Sequence, residues 1–393
     1  MRILILTPTI GESYGTEQVV KETGEGLTEA GHTVHFVAGR GSGPLPAFPG
    51  DFLDSLFAIN SFSSRTLVRE TNDRLLRLAQ TFSPDIIHLM DQLDPKILEP
   101  ILARYHVVLT SHTVATTSPS SCRVILGDKV CEKRSGWMCL AYNKRFGCLN
   151  YLKDDIRRAH AVHEYLARKK SHQRIASVLG PSRYICDLLK AEGWKNVNLV
   201  PNPVPLITAT TLAHSPANLM TIASRLVPMK GIDRVLRALK KIESDPWTLW
   251  IAGEGPERAK LEGLTQTLAL AGRVAFRGAL PRTKLHSVIR SSALFLQPNL
   301  GPESFGLAAA EASALGIPVV GFDVPGLNET ILSGKTGLLA ARGDENDIAQ
   351  KIHELLSDPA KRHTFGSAGA DLMKNTYTRS RHIAATLAAY QTA

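Results

Sequence analysis

The sequence predicts an α/β protein with two doubly wound, parallel-sheet domains. At 393 residues, the chain exceeds what one ordinary core supports and suits two α/β domains. In both halves, short apolar strand patterns alternate with helical patterns, which is typical of parallel sheets covered on both faces. A proline-rich passage over about 201–216 separates the halves. We therefore predict domains over 1–204 and 205–377, whose strand ends face a cleft.

The first half is expected to begin with a strand over 2–9, followed by a helix over 17–30 that ends at Gly31. A second helical pattern covers 64–80. These segments alternate with short buried strands, as a parallel sheet requires. The further predicted strands are 33–38, 85–89, 107–110, 175–179 and 197–200.

The second half repeats the alternation, with its clearest helix over 233–242. Another helix is predicted over 307–315, closed by Gly316 and followed by an apolar strand. In such sheets, ligands bind at the carboxyl ends of the strands. The predicted strands are 219–223, 248–252, 274–277, 294–297 and 319–322.

Composition predicts a globular protein without a membrane-spanning helix. Apolar residues make up 44% of the chain, mean hydropathy is −0.05, and no run of about 18 apolar residues occurs. The apolar N-terminus is followed at once by Pro8 and Gly11, so it is expected to be a strand and not a signal peptide. A cytoplasmic location is therefore the expectation.

The net charge of +10 is unevenly distributed, since residues 123–174 contain 13 Lys or Arg against 5 Asp or Glu. A basic surface of this kind attracts nucleic acid, anionic lipid or phosphorylated substrates. Nucleic acid is the weaker interpretation because no recognised binding module accompanies the charge. A plain solvated helix face is the alternative for part of the segment.

Four of the five cysteines, Cys122, Cys131, Cys139 and Cys148, fall within 27 residues. Zinc sites usually contain a C-x2-C pair, which is missing here, and disulfides are disfavoured in a reducing cytosol. Thiols in a long loop are the main expectation. A structural metal site remains the open alternative.

The most informative motif places two carboxylates eight positions apart. Glu303 lies in a loop, Ser304-Phe305-Gly306-Leu307 leads into a predicted helix, and Glu311 lies within that helix. A strand, a glycine-bearing loop and a helix N-terminus in that order form an anion site, because free N–H groups and the helix dipole point outward. Two glutamates on a solvated helix face are the alternative.

This E-x7-E arrangement resembles the donor site of retaining glycosyltransferases of family 4 (glycosyl transferases group 1). Their GT-B fold consists of two Rossmann-like domains facing a cleft. Ser224-Arg225 and Lys230 resemble the family's Arg…Lys-Gly element, although the family usually has glycine in place of Ser224. The resemblance implies that Arg225 and Lys230 bind the donor diphosphate, that Glu303 binds the transferred sugar, and that Glu311 binds the ribose.

Other segments carry the same resemblance more weakly. Gly253 and Glu254 match a loop that binds the nucleotide, and residues 276–280 match a segment that lines the base pocket. Gly15 and Thr16 occupy a position where the family commonly has paired glycines beside the donor phosphate. His112 follows a predicted strand where the family has a histidine near the sugar. Without that context, a lone histidine is usually structural.

The resemblance implies an enzyme that moves a hexosyl unit from a UDP- or GDP-hexose to an acceptor hydroxyl, with retention of configuration. No metal or further cofactor is expected, and no D-x-D triplet occurs in the chain. No G-x-G-x-x-G follows the first strand, which disfavours a nicotinamide enzyme.

The expected acceptor is a lipid-linked, phosphorylated or small glycan of cell-surface polysaccharide or glycolipid synthesis, with peripheral association at the inner membrane face. As in the family, the helix over 378–393 is expected to complete the first domain. A GT-B epimerase or phosphorylase, or a non-catalytic basic glycan- or lipid-binding protein, remains an alternative.

Overall fold

The computed structural model describes residues 1–10, 15–41, 49–60, 62–119, 124–125, 129–131, 133–146, 149, 154–207, 210–214 and 218–393. The chain divides into two compact units. Unit 1 comprises Met1–Leu126, Cys131–Pro203 and Arg379–Ala393, and unit 2 comprises Gly127–Val130 and Val204–Thr378.

Seven parallel strands form the sheet of unit 1, in the order β3-β2-β1-β4-β5-β8-β9. Every residue of β4, β5 and β8 is buried, because continuously apolar strands can be covered on both faces. The first nine strands of the chain are β1 (Arg2–Ile10), β2 (Thr33–Gly41), β3 (Gly50–Phe52), β4 (Ile86–Leu89), β5 (Val107–Thr110), β6 (Val124–Ile125), β7 (Lys129–Val130), β8 (Ser177–Gly180) and β9 (Val197–Leu199).

Helices cover both faces of this sheet, and two apolar clusters fill the two layers. Four of the helices begin at a serine or aspartate that accepts a backbone N–H of the first turn, namely Ser64, Asp94, Asp154 and Ser182. The helices are α1 (Gly15–Glu29), α2 (Arg65–Phe82), α3 (Pro95–Leu102), α4 (Met138–Phe146), α5 (Asp155–His172) and α6 (Arg183–Ala191), with a 3-10 turn at Val114–Thr117.

Unit 2 contains six parallel strands in the order β12-β11-β10-β13-β14-β15. The strand order reverses between β10 and β13, and ligands of doubly wound sheets bind outside the carboxyl ends of the strands at such a point. The strands are β10 (Leu219–Ala223), β11 (Thr248–Ala252), β12 (Val274–Gly278), β13 (Leu294–Gln297), β14 (Val319–Phe322) and β15 (Gly337–Ala340).

The helices of unit 2 pack on both faces of this sheet around one large apolar cluster, and a smaller cluster includes Phe305, Ala310 and Met373. Between β10 and the first of them, a 3-10 turn spans Pro228–Lys230. The helices are α7 (Ile232–Lys241), α8 (Arg258–Thr267), α9 (Arg282–Arg290), α10 (Leu307–Ala314), α11 (Leu327–Thr330), α12 (Glu345–Ser357) and α13 (Pro359–Thr376).

The last helix, α14 (Arg379–Gln391), belongs to unit 1 and packs against α1. Its first residue, Arg379, donates hydrogen bonds to Glu22, Glu25 and Glu29 of α1 at 2.6–2.7 Å. The three glutamates lie on one face of α1, so a single guanidinium fixes the helix pair.

The predicted α/β fold with two doubly wound sheets is confirmed. In unit 2, the bounds of β10, β11, β13 and β14 coincide with the predicted ones. Strands β3 and β15 were not predicted. Within the described ranges, no helix is both long and apolar enough to cross a bilayer.

Of the clustered cysteines, Cys131 and Cys139 are half-buried, while Cys122 and Cys148 lie outside the described residues. The described part of the chain contains no group of three or more His, Cys, Asp or Glu side chains placed to hold a metal ion. The alternative of a structural metal at all four cysteines is therefore not tested.

Candidate active site

Two charged residues predicted for the donor site meet beside the point where the strand order of unit 2 reverses. Lys230 ends the segment after β10, and Glu303 lies in the segment after β13. Lys230 Nζ donates to Glu303 Oε1 at 2.6 Å, and both side chains are largely buried, with 26% and 17% exposed. Partial burial strengthens such a pair relative to one in water.

Backbone contacts hold these two segments together. Leu300 donates to the carbonyl of Met229 at 2.9 Å. Asn299 Nδ2 also donates to Glu303 Oε1, and Gln297 Nε2 donates to Asn299 Oδ1 at 3.2 Å. The carboxylate of Glu303 is therefore oriented by a cation and by an amide, and strand β13 fixes that amide.

The segment from Ser304 to Leu307 leads into α10 as predicted. Gly306 has φ +80°, a left-handed conformation that favours glycine, and it is the N-cap of α10. The first N–H groups of a helix have no intrahelical acceptor, so they can bind an anion. The Phe305 ring is buried against Tyr377 at 5.2 Å, which leaves its backbone as the part that can meet a ligand.

Glu311 lies just over one turn into α10 and binds two residues of α9. Arg282 Nη2 donates to Glu311 Oε1 at 2.5 Å, and His286 Nε2 lies 3.2 Å from Glu311 Oε2. The carboxylate of Glu311 is 10% exposed. Neither Arg282 nor His286 was predicted. Their i, i+4 spacing on one helix face was a usable signal, but it does not indicate which carboxylate they bind.

Arg225 lies two residues beyond β10 and is exposed, and its guanidinium makes no hydrogen bond or ion pair with any described residue. Gly253 follows β11 with φ +140°, and a Cβ there would lie 1.9 Å from the carbonyl oxygen of Ser224. Glycine is thus required for the two segments to pack. The carboxylate of Glu254 binds Arg258 at 2.5 Å.

In unit 1, His112 lies two residues beyond β5 and is 8% exposed. Neither of its ring nitrogens has a hydrogen-bond partner among the described residues. Burial, and secondarily the nearby His382, lowers the pKa of His112 to about 4. The imidazole is therefore neutral at pH 7 and can both donate and accept a hydrogen bond.

Two further buried histidines, neither of them predicted as site residues, lie near His112. His88 of β4 bonds Tyr390 Oη through Nδ1 and Thr110 Oγ1 through Nε2, each at 2.7 Å. His382 of α14 bonds Thr23 Oγ1 at 2.9 Å and lies 2.8 Å from the carbonyl of Pro201. Burial lowers the pKa of His88 to about 3 and that of His382 to about 4.

Gly15 and Thr16 form the start of α1, where Thr16 is exposed. Their backbone N–H groups belong to the first helical turn, which has no intrahelical acceptors for them. Residues 11–14, which join β1 to this helix, lie outside the described residues.

Two sequence families match the chain and together span nearly all of it. The family described as Glycosyltransferase Family 4 matches residues 14–207, and the family described as Glycosyl transferases group 1 matches residues 208–371. The chain belongs to the family 4 glycosyltransferases. The resemblance seen in its motifs is thereby confirmed.

Curated relatives of this family 4 glycosyltransferase act on different molecules. The GDP-mannose-dependent alpha-(1-6)-phosphatidylinositol monomannoside mannosyltransferase of Mycolicibacterium smegmatis is 34% identical over 154 residues, which cover 37% of this chain and 40% of the relative. The glycogen synthase of Mycobacterium tuberculosis is 28% identical over 290 residues, covering 72% of this chain and 62% of the relative. The chain thus spans less than two thirds of either relative.

Solved structures show the same fold over the whole chain. The HepE protein of Anabaena, in complex with UDP and glucose, superimposes with a TM-score of 0.73 at 17% identity and covers 99% of both chains. The sucrose-phosphate synthase of Thermosynechococcus elongatus has a TM-score of 0.73 at 20% identity, covering 100% of this chain and 98% of its own. This family 4 glycosyltransferase therefore has the GT-B fold.

Proposed function

We propose that the protein transfers a hexosyl unit from a nucleotide-diphosphate sugar to an acceptor hydroxyl. The observation that carries this proposal is the Lys230–Glu303 pair, which lies where the strand order of unit 2 reverses, beside the N-terminus of α10. A cation for a phosphate and a carboxylate for sugar hydroxyls are thus held side by side. Membership of family 4 and the likeness to a UDP complex support the same activity.

The diphosphate would bind to Arg225 and Lys230. Arg225 has no partner among the described residues, and Lys230 has three N–H groups, so it can keep Glu303 while it binds a phosphate oxygen. As the anomeric C–O bond breaks, negative charge grows on the leaving diphosphate, and two positioned cations stabilise it. Glu311 would accept the ribose hydroxyls, with Arg282 and His286 fixing its orientation.

The acceptor oxygen would attack from the face on which the diphosphate leaves, and its proton would pass to a leaving phosphate oxygen. This front-face route gives retention and needs no carboxylate nucleophile. We place His112 beside the transferred sugar, where its neutral imidazole would bond a hydroxyl. Anomeric analysis of the product by NMR tests the route, and a product of inverted configuration would contradict it.

The donor is tested by thermal unfolding with UDP, GDP and their hexose conjugates. We expect one nucleotide to raise the melting temperature, because a ligand at about 100 times its Kd stabilises by about 2.7 kcal/mol. Arg282→Met should reduce this shift, since Glu311 loses a charged partner, and Glu311→Ala should reduce it further. The absence of a shift with every nucleotide sugar would refute the proposal.

For the acceptor, we propose a lipid-linked or phosphorylated glycan, with unit 1 as the acceptor-binding domain and peripheral association at the inner membrane face. The excess of basic residues in 123–174 supports an anionic acceptor. Transfer from the identified donor is compared between phosphorylated or lipid-linked acceptors and matched neutral sugars. Faster transfer to the neutral sugars would exclude the anionic acceptor. Release of sugar without any acceptor would favour an epimerase or a phosphorylase instead.

A further inference from the structure

Unit 1 exposes large apolar side chains from three separate segments of the chain. Phe62 and Ile156 are each 82% exposed, while Trp137 and Met138 are 56% and 57% exposed. Single exposed apolar residues need no explanation, but a cluster of them indicates an interaction surface.

These side chains gather around one face of α5. The Phe62 ring lies 4.6 Å from the ring of His160, and the Trp137 ring lies 6.4 Å from that of His163. Ile156, His160 and His163 are spaced i, i+4 and i+7, which places them on the same side of the helix. We call this surface, formed by Phe62, Trp137, Met138, Ile156, His160 and His163, the α5 face.

A cationic cavity begins one residue beyond Phe62. It has a volume of about 390 Å³ and is lined by Ser63, Arg65, Val68, Arg69, Asn72, Asp73 and Lys96. Three of these side chains are basic and one is acidic. Neither Arg65 nor Arg69 forms an ion pair with any described residue. The cavity therefore has cationic groups available for phosphate oxygens.

The elements that carry the α5 face are themselves basic. Residues 133–146 and 154–174 contain ten Lys or Arg against three Asp or Glu. Aromatic and aliphatic side chains surrounded by cations match the interface of an anionic bilayer, where rings and alkyl groups enter between headgroups and cations meet phosphates. Nucleic acid fits less well, because Ile156 and Met138 offer no ring on which a base can stack.

We propose that the α5 face, together with the neighbouring cationic cavity, docks the protein on an anionic lipid bilayer. The proposal deepens the proposed function and rests on it, because docking brings unit 1 to a lipid-linked acceptor. The apolar side chains insert between the lipid headgroups, and Arg65 and Arg69 bind the headgroup phosphates.

The test is cosedimentation of the whole protein with vesicles of phosphatidylglycerol and phosphatidylcholine, and with vesicles of phosphatidylcholine alone. We expect binding only to the anionic vesicles, strong at about 10 mM salt and weak at about 1 M, where the Debye length falls from about 30 Å to about 3 Å. Equal binding to neutral vesicles, or binding that salt does not change, would overturn the electrostatic part.

Substitutions on the α5 face and in the cationic cavity test whether these residues make the contact with the bilayer. Phe62→Ser and Ile156→Asn should each lower the bound fraction roughly fivefold by removing an inserted apolar side chain. Arg65→Glu combined with Arg69→Glu should lower it by more than tenfold at low salt. The matched control is Leu206→Ser, because Leu206 is 85% exposed but lies in unit 2.

Each variant is also tested for the nucleotide-dependent thermal shift, which should equal that of the wild type because no changed residue lies in the donor site. Loss of vesicle binding with a normal nucleotide shift supports the docking surface. Unchanged vesicle binding in the Phe62, Ile156 and Arg65/Arg69 variants would overturn it, whatever the nucleotide shift. If no nucleotide raises the melting temperature of the wild type, that result contradicts the proposed activity and leaves the docking surface to be decided by vesicle binding.

Discussion

The two units differ in how they hold the polar side chains of the candidate site. In unit 2, charged groups are paired: Lys230 with Glu303, and Arg282 with Glu311. In unit 1, the groups are buried histidines whose low pKa values keep them neutral, and His112 has no hydrogen-bond partner among the described residues.

This difference indicates which kind of ligand group each set of side chains can bind. In a partly exposed ion pair, the carboxylate already holds the cation in place. The cation can therefore also bind a diphosphate with little further loss of hydration free energy. A neutral buried imidazole suits a neutral sugar hydroxyl, because a charged ligand there would lose its hydration without gaining a counter-ion. We therefore propose that the cations of unit 2 bind the diphosphate, and that His112 of unit 1 binds a hydroxyl of the transferred sugar.

The largest effect is expected from Lys230→Ala. Removing this cation leaves the diphosphate charge and Glu303 with one positive group fewer, which should raise the barrier to transfer by about 2–4 kcal/mol. The measurement is kcat with the identified donor. A smaller loss from the equivalent change at His112 would sharpen the contrast between the two units.

A matched control for this variant is Lys240→Ala. Lys240 also pairs with a glutamate, Glu243, but at the end of α7 and with 39% of its side chain exposed. Its removal should leave kcat unchanged. If both lysine variants lost activity equally, the effect would come from the stability of unit 2 and not from the diphosphate.

An intermediate effect is expected from Tyr390→Phe in unit 1. The change removes the hydroxyl that bonds His88 Nδ1 and leaves a buried ring nitrogen without its partner, which should lower the free energy of unfolding by about 1–3 kcal/mol. Urea denaturation measures it. Tyr105→Phe serves as the control, because the Tyr105 hydroxyl makes no hydrogen bond with a described residue. Equal losses in the two variants would contradict a role for the His88 contact.

The smallest effect is a change of pH dependence in His112→Gln. The pKa of His112 is about 4 when folded and about 6.5 when unfolded, so the unfolded chain takes up the proton first as the pH falls. This side chain therefore contributes stability above pH 6.5 that is lost towards pH 4.

In His112→Gln, the free energy of unfolding should fall by about 1 kcal/mol less between pH 6.5 and 5.5 than in the wild type. Denaturation curves at the two pH values measure the difference. An unchanged pH dependence in His112→Gln would show that this ring is not kept neutral by burial.

The sequence predicts the fold well where its signals are local. Strands β10 and β13 are apolar runs bounded by polar or turn-forming residues, so their bounds follow from the residues themselves. Strand β3 has only three residues, all half-buried, and contains glycine and aspartate, which disfavour strands. It forms because β2 offers a free edge, which is a tertiary cause.

The parts of the candidate site that depend on contacts between residues distant in sequence could not be predicted. The motif residues Lys230 and Glu303 are recognisable from their flanking strands and glycines. Arg282 reaches Glu311 only through the packing of α9 on α10, and Tyr390 reaches His88 across 302 positions of sequence. Helix periodicity and strand pattern carry no information about such pairings.

The placement of α14 has a consequence for how the chain is made. Arg379 completes the contact with three glutamates of α1, and Tyr390 completes that with His88, so unit 1 is built from segments that both precede and follow unit 2 in the sequence. Domains usually fold in the order in which the ribosome releases them. Here unit 1 begins to be synthesised first, but it cannot be completed until α14 has been made. Unit 2 is nearly continuous from Val204 to Thr378, so it is the first to have all of its strands and helices.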